Sequence, residues 1–139
     1  MARFYYLREL AEHLGVGIDA VVISCFYCGR YLTHGDRVLF AHAQLQLVCR
    51  DGFHQAACQL CIRTLARLDF VSHYEKFIST QEAAELAEKQ FTEISVRCYA
   101  CLRLLNTVEK CDVVSSGGDV AVIKGTFRAL CTLCKIGLP

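Results

Sequence analysis

The chain has 139 residues, 54% of them hydrophobic and only one of them proline, which excludes a proline-rich chain or one too polar to fold, and fits one ordinary domain or two small ones. Lys and Arg total 15 against 14 Asp and Glu, a balance that argues against a surface held on nucleic acid chiefly by phosphate neutralisation. No run of 18 uncharged apolar residues suggests a membrane span. In chain order, Phe4, Leu7, Ala11 and Leu14 predict a helix over 3–14, ended by Gly15 and Gly17; Arg8 and Glu9 there do not fit a secretory signal. Asp19 is expected to cap a short helix through Val21 and Ile23, leading into a first CxxC pair, Cys25/Cys28. Residues 38–40 and 45–49 read as strands, and Asp51-Gly52 marks a turn. After a second pair, Cys58/Cys61, a helix runs through Ile62, Leu65, Leu68 and Val71. Ser79 and Glu82 fit a capping box that opens a linker helix, because 83–90 is rich in Ala, Glu, Leu and Lys. Beyond the third pair, Cys98/Cys101, residues 108–110 and 120–123 are strand candidates separated by a loop at Ser115-Ser116-Gly117-Gly118. A fourth pair, Cys131/Cys134, lies near the end.

Ten cysteines in 139 residues dominate the chemistry. Without a signal pattern a reducing compartment is expected, where disulfides are disfavoured and many cysteines point to metal. Within both halves 29 residues separate the two CxxC pairs, and adding 73 to each of the first four cysteine numbers gives the other four. Val21/Ile94, Ile23/Val96, Arg30/Arg103, Leu32/Leu105, Gly52/Gly125 and Leu60/Leu133 obey the same offset, so the chain is a duplicated module. A repeat is most simply self-contained. Cys25, Cys28, Cys58 and Cys61 are therefore paired as one ligand set, and Cys98, Cys101, Cys131 and Cys134 as the other. Each CxxC turn presents two thiolates to one ion, and two such turns complete the tetrahedral four-sulfur geometry of structural zinc, with no position left for a reactive water. The alternatives are a cross-braced pairing and redox CxxC chemistry. Cys49 and Cys111 have no partners at the offset and are expected to be small buried hydrophobes. The five histidines (His13, His34, His42, His54 and His73) are read as surface or core residues.

The fold class expected is α+β, with two tandem duplicated zinc-binding modules, four cysteines in each, joined by a linker helix: an N-terminal helix arm at 1–17, a first module at 18–78, the linker at 79–92 and a second module at 93–139. Two structural zinc ions are the cofactors, and their removal is expected to unfold both modules. Neither part of the chain is basic: 8 Lys/Arg face 7 acidic residues in 1–79, and 7 face 7 in 80–139. A zinc-dependent nucleic-acid-binding transcriptional regulator is nonetheless the alternative function. No Ser-His-Asp or paired-carboxylate set can be identified, so no enzyme activity is expected.

The CxxC-x29-CxxC-x36-CxxC-x29-CxxC arrangement, together with Cys25-Phe26-Tyr27-Cys28, Cys49-Arg50-Asp51-Gly52 and Val96-Arg97-Cys98, resembles the papillomavirus early protein 6 family over the whole chain. The resemblance implies a non-enzymatic viral adaptor that captures acidic, helical LxxLL peptides of host proteins in a pocket between the zinc modules and the linker helix. Carried over by position, Phe26, Tyr27, Leu45, Val48, Ala57, Ile62, Leu65 and Leu68 would form the apolar pocket. Arg50, Arg97 and Lys124 would face the peptide's carboxylates. Thr126 stands where family members often carry a further arginine, and Arg128 is the substitute. The implied partners are the Mastermind-like coactivator of Notch signalling, favoured here, the HECT-type ubiquitin ligase through which host proteins are redirected to degradation, and paxillin. The implied location is the host cytoplasm and nucleus. The ending Ile136-Gly137-Leu138-Pro139 offers no terminal aliphatic anchor, so no PDZ partner is expected; neither is a membrane.

Overall fold

Helix α1 spans Leu7–Leu14 in the computed structural model, which describes residues 3–136; the terminal sequence weighed for PDZ binding lies largely outside them. The helix starts later than the predicted residue 3 because the Glu9 carboxylate accepts the N–H groups of Tyr5 and Tyr6 (3.2 and 2.9 Å) and fixes Tyr6 as an extended N-cap. Leu7 and Ala11 are buried, while Leu14 is exposed. The helix ends at Gly15, whose φ of 71° is the left-handed geometry that suits glycine at this position.

The Asp19-capped helix is corrected. Ile18–Ala20 form one 3-10 turn whose N-cap is Gly17, with no side-chain cap. Val21 is extended, and both Val21 and Ile23 are buried. Residues 38–40, expected as a strand, lie in helix α2, His34–His42. The cause is a capping box: Thr33 Oγ1 accepts the Asp36 N–H (3.2 Å) and the Asp36 carboxylate accepts the Thr33 N–H (3.1 Å). That box satisfies two helix-end donors, and Phe40 and Ala41 bury the inner face. Strands β1, Val48–Arg50, and β2, Phe53–Gln55, then form an antiparallel hairpin. The strand is therefore shorter than the predicted 45–49 and excludes Leu45. Asp51 and Gly52 both have positive φ (53° and 81°), as a two-residue hairpin loop of type I′ requires. Helix α3, Gln59–His73, follows as predicted.

The chain divides into two compact units between Ile62 and Arg63, inside α3. In the second unit come strand β3, Tyr74–Ile78, and helix α4, Thr80–Ala87. Ser79 caps α4 by accepting the Glu82 N–H. The helix stops short of the predicted residue 92 because Glu88 turns left-handed at φ 56°. Then follow a 3-10 turn at Phe91–Glu93, strand β4 at Arg97–Cys98 and helix α5 at Thr107–Ser116. Helix α5 replaces the strand expected at 108–110, again through a capping box, here between Asn106 and Glu109; it also absorbs half of the loop expected at 115–118. Strands β5, Val120–Ile123, and β6, Thr126–Ala129, precede a short helix α6, Thr132–Lys135. One sheet has the order β3-β5-β6-β4. Its strand β5 is buried throughout, and the core around it includes Ile78, Phe91, Val96, Leu105 and Val113.

The offset of 73 extends to the elements. Added to the bounds of α1 it gives those of α4, and added to the first 3-10 turn it gives the second. It carries α2 onto α5 and the β1–β2 hairpin onto β5–β6, to within one residue. The helix expected as a linker is thus the second unit's copy of α1. Among the described residues no helix is long and apolar enough to cross a membrane.

Candidate metal centres

Each unit brings its own four cysteines together. The first CxxC turn of each unit is drawn tight by its backbone: the Gly29 N–H donates to Cys25 O (3.0 Å) and the Leu102 N–H to Cys98 O (2.9 Å). The second pair of each unit follows the hairpin in sequence. Cys25 bridges Ala56 in parallel register, and Cys98 pairs with Ala129 in the same way between β4 and β6. The sulfurs of Cys25, Cys28, Cys58 and Cys61 lie within 4.8 Å of one another, and so do those of Cys98, Cys101, Cys131 and Cys134.

A tetrahedral ion with Zn–S bonds of about 2.3 Å has sulfur–sulfur edges of about 3.8 Å. The separations Cys28–Cys58 and Cys101–Cys131 are each 3.8 Å, so the donor sets fit two structural zinc ions. The thiol electrostatics point the same way. The Arg30 N–H and guanidinium hold Cys28 down at about 6, while desolvation pushes Cys61 up to about 12. In the second set the Cys101–Cys131 hydrogen bond drives Cys131 down and Cys101 up, and burial pushes Cys134 up to about 11. Four sulfurs this close cannot all ionise without a cation among them, and zinc is such a cation. The zinc would hold its four ligands and shape both turns; with all positions filled by sulfur it supplies scaffolding rather than reactivity.

Cys49 and Cys111 join neither cluster. The expectation that both are buried is corrected: Cys49 is half-buried and Cys111 is exposed, on the outer face of α5, whose buried residues are Glu109 and Val113.

Of the residues proposed to meet a peptide, the first unit groups three. Phe26 meets Tyr27 edge-on with ring centroids 5.0 Å apart, and the Arg50 guanidinium lies 4.8 Å from the Phe26 centroid. Leu45 lines a separate cavity of about 540 Å³ with Tyr6, Leu7, Ala41 and His42. Val48 is half-buried on β1, while Ala57 and Ile62 are buried. In the second unit Leu65 is half-buried and Leu68 exposed on α3. Arg97 donates to the Leu102 carbonyl (2.9 Å). Lys124 is exposed at the β5–β6 turn with φ 53°. Arg128, the substitute cation, is engaged in an ion pair with Asp69 (3.1 Å).

Residue-type reasoning missed the groups around the sulfurs. Arg30 donates to Cys58 Sγ (3.7 Å) and Arg63 to Cys134 Sγ (3.9 Å), while the Arg103 guanidinium acts on the Cys131 thiol electrostatically. Burial alone would raise Glu109, but the N–H groups of Thr132 and Asn106 and the Arg103 guanidinium hold it below the ordinary carboxylate range. The recurrence of Arg30 as Arg103 was the available signal, yet spacing alone does not say where a guanidinium points.

Comparison with known proteins agrees with this geometry. The family described as Early Protein (E6) matches residues 25–134, from the first to the last clustered cysteine. The chain is 33% identical over 130 residues to Protein E6 of Human papillomavirus type 1, covering 94% of this chain and 93% of that protein. It is 33% identical over 128 residues to Protein E6 of Human papillomavirus 4 (92% and 91%), and 30% identical over 126 residues to Protein E6 of Human papillomavirus 20 (91% and 76%). A duplicated fold with a four-cysteine cluster in each unit, matched over this span, makes the chain a member of the papillomavirus E6 family.

Proposed function

We propose that the chain is a non-enzymatic viral adaptor. It captures acidic, helical LxxLL segments of host proteins on apolar and cationic side chains that two structural zinc ions hold in place. A leucine-bearing helix face needs apolar surface, and its acidic residues need nearby cations. The observation that carries the reading is the group in the first unit where Arg50 stacks on Phe26 beside Tyr27, which is 53% exposed. It offers an aromatic surface and a cation on one small patch. Exposed Leu68 and Lys124 in the second unit supply the same two chemistries. The favoured target is the Mastermind-like coactivator, by which the chain would modulate host transcription and dampen Notch signalling in the host nucleus and cytoplasm. The HECT-type ubiquitin ligase, with redirected degradation and blocked apoptosis, and paxillin are the competing targets.

The test is a fluorescence titration of the zinc-loaded chain with LxxLL peptides from the three targets, beside peptides whose leucines are replaced by alanine. Arg50→Glu, Tyr27→Ala and Leu68→Glu should each weaken binding at least about tenfold, the scale of a lost interfacial contact, with two zinc ions retained. Ile62 is 1% exposed, so a charge there would test packing instead. Undiminished binding in all three variants, or equal binding of leucine-free peptides, would overturn the assignment. Salt-sensitive duplex DNA binding in place of peptide binding would do the same.

A further inference from the structure

Around the sulfurs the two units place the same types of residue at corresponding positions. Asp36, at the third position of α2, accepts the Thr33 N–H through one oxygen (3.1 Å) and the Gln59 N–H through the other (3.0 Å). Glu109, at the third position of α5, accepts the Asn106 N–H (3.1 Å) and the Thr132 N–H (2.8 Å). Gln59 and Thr132 directly follow the third ligands, Cys58 and Cys131. Arg30 reaches Cys58 Sγ at 3.7 Å, and the Arg103 guanidinium acts on the Cys131 thiol electrostatically. Every member of the first set maps onto the second by the 73-residue offset.

The two sets are not equal. Arg103 is directly ion-paired with Glu109, and Glu109 is 5% exposed. Arg30 is exposed, and Asp36, one methylene shorter than Glu109, acts on it through its charge at longer range. The second cluster also receives the Arg63 guanidinium on Cys134 (3.9 and 4.0 Å). In the first cluster Cys28 is exposed, whereas Cys98, Cys101 and Cys131 are all buried in the second.

We infer that Arg30 with Asp36, and Arg103 with Glu109, are positioning residues for the two zinc ions, and that the second ion, further held by Arg63, is the more slowly released. Zinc with four thiolates carries a net charge of −2, and such a charge is costly to bury unless cations and hydrogen-bond donors surround it. Charge-assisted N–H···S contacts also fix the direction of the sulfur lone pairs. In both units the carboxylate pins the backbone just after the third ligand, and in the second it also holds the guanidinium directly, so that one side chain sets two parts of the centre. Outer partners of this kind are typically worth about 10- to 100-fold in metal affinity. The inference is independent of peptide binding.

The test uses the full chain loaded with two zinc ions and challenged with a chelator in the presence of N-ethylmaleimide. Zinc release is followed by dye absorbance, and the alkylated cysteines are located by peptide mapping. Cys25, Cys28, Cys58 and Cys61 should be modified before Cys98, Cys101, Cys131 and Cys134, as zinc leaves in two equal phases. Arg103→Met, Glu109→Gln and Arg63→Met should each speed the second phase about tenfold or more and leave the first unchanged; Arg30→Met should speed only the first. Arg103→Lys should recover part of the loss. With cobalt in place of zinc, Arg103→Met should shift the sulfur-to-metal charge-transfer band, which a merely structural role would not move. If a methionine variant fails to fold, the order of release in the unsubstituted chain and Arg103→Lys still decide. Simultaneous release, release of the second ion first, or variants that change neither rate nor band would overturn the inference.

Discussion

Glu88 holds φ 56° at the end of α4, where the first unit places Gly15 at the end of α1. A side chain pays roughly 1–2 kcal/mol for that left-handed backbone, while glycine loses about 0.5–1 kcal/mol more than alanine through its freer unfolded chain. Glu88 is exposed, so little packing is lost with it. Glu88→Gly should therefore raise the free energy of unfolding by about 0.5–1 kcal/mol, read as a higher midpoint in urea at constant zinc; a lower midpoint would show that the Glu88 side chain contributes more than its conformation costs. Gln44 and Gly117 stand in the same relation at the ends of α2 and α5, with φ 54° and 68°. The repeats thus keep a backbone conformation even where the residue best suited to it is absent.

At the scale of elements, the two capping boxes decide what 34–42 and 107–116 become. Val38, Leu39 and Phe40 in succession look like a buried strand. The Thr33–Asp36 pair outweighs that local preference by satisfying donors at a helix start. The same conflict recurs at Val108, where Asn106 and Glu109 settle it, so the same local competition occurs twice at the 73-residue offset. Thr33→Ala and Asn106→Ala should each lower stability by about 1 kcal/mol. The Asn106 change should lower it more, because it also loosens buried Glu109, and chemical denaturation with zinc in excess measures both. Equal losses would mean that the burial of Glu109 adds nothing to its cap. The cysteine clusters, the Asp51-Gly52 turn and α3 were legible because each depends on residue identity at short spacing. The guanidinium of Arg63 on Cys134 was not, because it joins residues 71 apart that only the fold brings together; the Arg103–Glu109 pair, though six residues apart, depends on the turn into α5, which residue spacing does not reveal.

For the whole molecule, the duplication explains why so small a chain carries two centres. Each unit repeats a helix, a 3-10 turn, a cysteine turn, a second helix and a hairpin, and each is a small unit with a correspondingly small core. Small domains of this size usually need a staple beyond a hydrophobic core. Structural zinc in small peptides contributes on the order of 10–16 kcal/mol near neutral pH, comparable to the whole net stability of a typical domain. Replacing Cys58 or Cys131 by Ala should therefore unfold the unit that carries it and reduce bound zinc from two ions to one. Metal analysis of the purified chain joined to circular dichroism during chelation decides whether eight sulfurs hold two ions on which the fold depends. Two zinc equivalents per chain are expected, with the folded spectrum lost as both leave; fewer than two in the folded protein, or a native spectrum kept after complete removal, would show that the fold does not rest on the two ions.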